Sequence, residues 1–140
     1  MCDYGTVRWD EFMTVERYSH VLHIVSRVTG TLRPGLGALD AARALFPGGT
    51  ITGVPKVRAM EVIEELEPVR RAFYTGSAGW LGHDGNGDLN IVIRTALCRD
   101  QEAHAWVGAG IVADSDPGRE WRETLHKARA LLQAAGVEAP

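Results

Sequence analysis

Glu120, Glu123 and Lys127 follow one another at spacings of three and four residues near the end of the 140-residue chain. On a helix, at about 100° per residue, they fall within about 60° of arc. Two carboxylates one turn apart can hold a hard divalent cation such as Mg²⁺ through oxygen. The same spacing describes a surface ion pair, because Glu123 and Lys127 stand in the favourable i,i+4 order. Both readings stay open on spacing alone.

Arg94 lies in an otherwise apolar run, on the strand face opposite Ile91 and Ile93. A guanidinium there calls for a carboxylate, from the protein or from a ligand. The segment from Gly48 to Lys56 resembles a phosphate loop only superficially, since its second glycine is not followed directly by Lys-Ser/Thr. What remains is a Gly/Thr-rich stretch ahead of a helix, which can offer N–H groups and hydroxyls to an anion or serve as a structural turn. His23 and Arg27 share a strand face, where a structural histidine is the plainer reading. His20 points the other way, so the two histidines cannot chelate one metal. Gly108 and Gly110 leave a strand face bare, for a ligand or for a packed side chain. No Cys/His pair and no Gly-x-Ser-x-Gly elbow is present. Together these residues describe a site for a small dianion.

The elements that must position these residues follow from periodicity. Residues 21–32 alternate as a strand, with Leu22, Ile24, Val28 and Leu32 on one face. Residues 36–46 predict a short helix, and a second starts near Pro55, with Val57, Met60, Ile63 and Leu66 as a buried stripe. Runs 73–81, 89–98 and 103–113 predict three strands of an antiparallel meander, the first pair joined by a hairpin at His83–Asp88. A last helix runs from about 117 to 135, capped by Asp116, with Trp121, Leu125, Ala128, Leu132 and Ala135 as its apolar stripe. Strands interleaved with helices give an α+β class.

Composition sets the outer limits. Hydrophobic residues make up 45% and charged residues 24%, which suits one globular domain over 1–140 and excludes a disordered tail. No run approaches the ~18 apolar residues of a membrane span. A formal charge of −3 gives no general attraction to nucleic acid or anionic membrane. Two cysteines, Cys2 and Cys98, form neither a disulfide framework nor a CxxC motif, so a reducing, cytoplasmic setting is expected.

Five blocks carry a family resemblance: VERYSHVLHIVSRVTG (15–30), FPGGTITGVPKVRAMEVIEELEP (46–68), YTGSAGW (74–80), DLNIVIRT (88–95) and GAGIVADSDPGREWRETLHKARAL (108–131). In this order they resemble the C-terminal signature blocks of the chorismate-utilising enzymes. That family includes anthranilate synthase component I, aminodeoxychorismate synthase component I, isochorismate synthase and salicylate synthase. The resemblance implies the C-terminal portion of the chorismate-binding fold, an antiparallel sheet with packed helices. It implies Glu120 and Glu123 as ligands of a Mg²⁺ that holds a chorismate carboxylate. Tyr74, Arg94 and Lys127 match residues that bind substrate carboxylates, with backbone from Gly108, Ala109 and Gly110. Thr50 resembles the threonine beside the ring, and His23 the histidine near the ring and the leaving hydroxyl.

Within the family, the run from Phe46 to Lys56 followed by Glu-Leu-Glu-Pro-Val-Arg-Arg looks most like aminodeoxychorismate synthase component I, of the para-aminobenzoate and folate route. Anthranilate synthase component I, of the tryptophan route, is close behind. Both aminate chorismate with ammonia, usually from a glutamine amidotransferase subunit. Family enzymes are much longer. Their preceding portion would supply further glutamates, the general acid and a lysine-bearing strand, a role that Lys56, in a different motif, does not fill. The expectation is a chain inactive by itself, with exposed sheet edges that pair with that portion or with another copy. A chorismate-binding but non-catalytic chain is a further alternative.

Overall fold

The computed structural model describes residues 1–18 and 22–137. In chain order the elements are β1 (Arg8–Arg17), β2 (Leu22–Thr29), α1 (Ala38–Leu45), α2 (Gly49–Thr52), α3 (Lys56–Leu66), β3 (Ser77–Leu81), β4 (Gly87–Ile91), β5 (Ala96–Arg99), β6 (Glu102–Ala105) and α4 (Pro117–Ala134). The mixture is the α+β class that the periodicity predicts. The chain divides into two units, one of residues 1–45 with 81–87, the other of residues 46–80 with 88–140.

In the first unit β1 and β2 pair antiparallel. Strand β1 is not among the predicted elements, because charged residues interrupt its alternation and its register shifts twice, between Trp9 and Glu11 and between Glu11 and Thr14. Met13 adopts φ 50° at the second shift, and its N–H is taken by Ser26 Oγ at 3.0 Å. Such a bulge breaks the period of two. The register sets Trp9 opposite Val28 and Val15 opposite Ile24, so the apolar side chains share one face. Glu11 lies opposite Arg27, with an ion pair of 3.1 Å. Val21 and His20, at the predicted start of the strand, lie outside the described residues.

In the second unit the Gly/Thr-rich stretch is wound into α2. The N–H groups of Ile51 and Thr52 donate to Gly48 O at 3.0 and 3.1 Å, and that of Gly53 to Gly49 O at 2.7 Å. Those N–H groups are therefore spent inside the turn, which favours the structural-turn reading of the stretch over the anion-binding one. Helix α3 begins one residue after Pro55, as predicted. Its stripe of Val57, Met60, Ile63 and Leu66 is not buried: Ile63 is half-covered and Val57, Met60 and Leu66 are exposed.

The meander is also corrected. Strands β3 and β4 pair, with the reversal at Gly82–Asn86, and β5 pairs with β6 through a two-residue turn in which Asp100 and Gln101 have φ 51° and 66°. Positive φ at both positions suits the right-handed twist of a hairpin. The predicted central strand 89–98 splits instead of linking the two. Arg94 has φ 51°, Ile93 N–H turns back to Ile91 O at 3.0 Å, and Thr95 Oγ1 donates to Ile93 O at 2.9 Å. A local turn thus replaces the ladder. Strand β6 stops at Ala105, so Gly108 and Gly110 lie in an irregular segment and share no strand face.

Helix α4 forms as its caps predict. Asp116 Oδ1 accepts the Arg119 N–H at 2.9 Å, and Pro117 takes the first turn, where its missing N–H costs nothing. Ala128, on its predicted stripe, is buried at 8% exposure, while Trp121 on the same stripe is exposed. The chain exposes 11350 Å² in all. Two separate compact bodies of these sizes would expose about 9,000 Å² together. The excess is the uncovered apolar faces of the strands and helices.

Candidate functional site

Four of the predicted residues meet in the second unit. Lys127 Nζ lies 2.6 Å from Glu123 Oε1, one helical turn earlier on α4. The same ammonium donates to Gly108 O at 3.4 Å, across 19 residues of sequence. Gly108 in turn faces the Tyr74 hydroxyl, which a Cβ at that glycine would meet at 3.1 Å. The absence of a side chain at Gly108 is what admits the phenol. Phe73 and Trp106 stack edge to face with centroids 5.3 Å apart, fastening the Tyr74 turn to the segment that leads into Gly108. The 108–110 backbone is positioned by this packing, with Ala109 half-buried and Gly110 exposed.

Electrostatics follow the geometry. Lys127 donates to the Glu123 carboxylate and holds its pKa below the ordinary 4.5. Burial raises the Tyr74 phenol above the ordinary 10.0, with the nearby Arg71 charge working in the opposite direction. The phenol therefore stays protonated at neutral pH and can donate to an anion.

Arg94 and Thr50 are placed nearby by backbone bonds. Thr75 N–H donates to Val92 O at 2.8 Å and Val92 N–H to Gly76 O at 3.0 Å, so the turn that presents Arg94 starts beside Tyr74. Arg94 is exposed on that turn, not held within a strand. Thr50 is exposed on α2, whose preceding residue Gly48 packs on Ile91: a Cβ there would meet Ile91 Cδ1 at 3.4 Å. His23 belongs to the first unit. It sits opposite Glu16 on the charged face of β2, with the Tyr18 ring 5.7 Å away and Tyr18 Oη donating to Glu16 at 2.6 Å.

Glu120 is half-buried on α4, and no group of three or more His, Cys, Asp or Glu close enough for a metal occurs among the described residues. Two carboxylates one turn apart nevertheless match Mg²⁺, which keeps several waters and takes one or two protein carboxylates beside its substrate oxygens.

A family model described as "chorismate binding enzyme" matches residues 1–133. The chain belongs to the chorismate binding enzyme family. It is 58% identical over 134 residues to an anthranilate synthase component I-like protein of Synechocystis, covering 96% of this chain and 28% of that protein. Its identity to aminodeoxychorismate synthase component 1 of Bacillus subtilis is 55% over 131 residues, covering 94% and 28%. The crystal structure of anthranilate synthase component I from Streptococcus pneumoniae superposes with a TM-score of 0.83 at 44% identity, over 90% of this chain and 29% of that one. The chain thus spans under a third of the length of these relatives, and along that span the mixed helix and antiparallel fold is the family's. No helix among the described residues is long and apolar enough to cross a membrane.

One residue outside the predicted set stands in this neighbourhood. Arg71 is held by Glu67 and lies over the Tyr74 ring. Its signal in the sequence was the i,i+4 spacing to Glu67, which spacing alone cannot tell from a surface pair.

Proposed function

We propose that this chain forms part of the site at which chorismate is aminated with ammonia. The supporting observation is the chain of contacts from Tyr74 through Gly108 and Lys127 to Glu123. It gathers a phenol donor, a backbone segment, a cation and a carboxylate along one edge of α4. Such a set suits a small dicarboxylate. Lys127 and Arg94 bind its carboxylates, Tyr74 donates to an oxygen, and the 108–110 backbone lies alongside. Glu120 and Glu123 would hold Mg²⁺, which supplies charge neutralisation at one substrate carboxylate. Lys127 holds the Glu123 carboxylate in place on α4. Thr50 would lie beside the ring; the part near the leaving hydroxyl that the family resemblance implies for His23 rests on its sequence block alone.

The run from Phe46 to Lys56 supports 4-amino-4-deoxychorismate as the product. A second reading, anthranilate, is favoured by the names of several relatives, such as anthranilate synthase component 1 of Aquifex aeolicus, 57% identical over 133 residues. A glutamine amidotransferase subunit would supply ammonia, and the exposed sheet faces would be covered by further family sequence or by a second copy. Titration calorimetry of the chain with chorismate, with and without Mg²⁺, tests the site. Binding that depends on Mg²⁺ and is lost in Glu123→Ala is expected; binding untouched by that substitution removes the reading. Product analysis of the reconstituted enzyme separates the two aminations.

A further inference from the structure

Arg71 joins the two short segments that carry Thr50 and Tyr74. Its Nε donates to both oxygens of Glu67 at 2.8 and 3.0 Å, and its Nη2 to Oε1 at 2.5 Å. Its Nη1 reaches Ile51 O at 3.4 Å, one residue after Thr50 on α2, and Thr75 Oγ1 at 3.3 Å, one residue after Tyr74. The guanidinium carbon stands 5.7 Å from the Tyr74 ring centroid. The Arg71 side chain is only 20% exposed, and its bonds to Ile51 O and Thr75 Oγ1 are part-buried, while those to Glu67 lie on the exposed side. The guanidinium meets the carboxylate, the carbonyl and the hydroxyl through three separate nitrogens in one plane, whereas an ammonium has its three N–H groups on a single nitrogen and cannot span the same positions.

Arg71 adds a tie to each segment beyond the Phe73–Trp106 packing, the Thr75–Val92 backbone bond and the Gly48–Ile91 contact described above. Helix α2 has four residues, too few to sustain itself. Ala72 and Thr75, on either side of Phe73–Tyr74, have φ 51° and 65°. The left-handed region costs an L-residue roughly 1–2 kcal/mol. Thr75 is buried at 8% exposure and donates its hydroxyl to Tyr74 O at 2.5 Å, so the Arg71 bond to that hydroxyl acts at the pivot of the turn.

We infer that Arg71 is a positioning residue, tying the backbone beside Thr50 to the Tyr74 turn so that the Tyr74 hydroxyl stays against Gly108. Its consequence for affinity rests on the chorismate reading, whereas the positioning is read without ligand. The test uses the full chain with ¹³C-labelled tyrosine, as wild type, Arg71→Gln and Arg71→Lys.

In both variants the Tyr74 ring should lose its contact with Gly108. Its phenol should then titrate closer to an ordinary tyrosine, because the burial that raises it is lost, while β5–β6 cross-strand contacts persist. A Tyr74 that keeps its Gly108 contact, with a midpoint that rises in Arg71→Gln as the cation is removed, overturns the inference. So does full retention of the wild-type Tyr74 signal in Arg71→Lys, which keeps the charge without the fork. If Arg71→Gln also loses the β5–β6 contacts, Arg71→Lys alone decides. Chorismate affinity in the presence of Mg²⁺ should weaken on the order of tenfold in Arg71→Lys, as for a modest misplacement of binding groups. A wild-type chain that fails to bind chorismate removes the functional reading and leaves the Tyr74 test standing.

Discussion

The β1–β2 hairpin and the surroundings of α4 are both well-formed secondary structure, yet they are held differently. The hairpin is maintained by its ladder and by the Arg27–Glu11 pair, while Trp9 is 71% exposed and Leu22, Ile24 and Val28 are each 67% exposed. Helix α4 buries Ala128 and sends Lys127 to a carbonyl far away in sequence. Backbone pairing can therefore form where side chains have nothing to pack against, but a site requires elements that touch. The contrast also separates His23, which lies on the hairpin, from the contacts that join Tyr74 to Glu123.

The sharpest break in the comparison is Gly79→Ala. A Cβ there would sit 1.9 Å from Asp88 O, a backbone atom that cannot move aside without opening the β3–β4 pairing. Thermal unfolding should show a loss of about 3 kcal/mol, the upper end for overpacking, with the β1–β2 amide exchange unchanged. Asp116→Ala removes the α4 cap and should cost about 1 kcal/mol, read as helix fraying by circular dichroism. Ile24→Thr on the hairpin's open face should change stability by less than about 0.5 kcal/mol, as for an exposed position. Binding of a hydrophobic dye should fall. A loss of several kilocalories there would show that the face is covered in solution.

The smallest effect is a titration. Glu123 should titrate below 4.5 in the wild type and return to the ordinary carboxylate range in Lys127→Met, measured by carboxyl ¹³C shifts. The sign follows from the depressed value: the pair's support of α4 is complete above the unfolded glutamate range and fades as pH falls through the lower folded one. Unchanged titration in Lys127→Met would dissociate the two side chains in solution.

Much of this was legible in one dimension. Pro117 after Asp116 marks a helix start whatever surrounds it, and His83–Asp88 with its glycines marks a reversal, because both signals act within a few residues. The Glu120, Glu123 and Lys127 face of α4 likewise follows from helical pitch alone. The break at Arg94 and the winding of Gly49–Thr52 were not legible, since apolar alternation and Gly/Thr content are compatible with either outcome until neighbours choose. Strand β1 escaped because a bulge destroys the period on which strand reading depends.

The sequence by itself determined the residue types of the site, the α+β class and the blocks of the family. Only the tertiary structure decided that Tyr74 meets Gly108, that Lys127 is shared between Glu123 and Gly108, and that Arg71 links α2 to the Tyr74 turn. The physical reason is range. Caps, turns and helix faces are set by interactions over a few residues, whereas the contacts of Tyr74 with Gly108, Lys127 with Gly108 and Arg71 with Ile51 close loops of about 20 to 34 residues and exist only once the elements have packed.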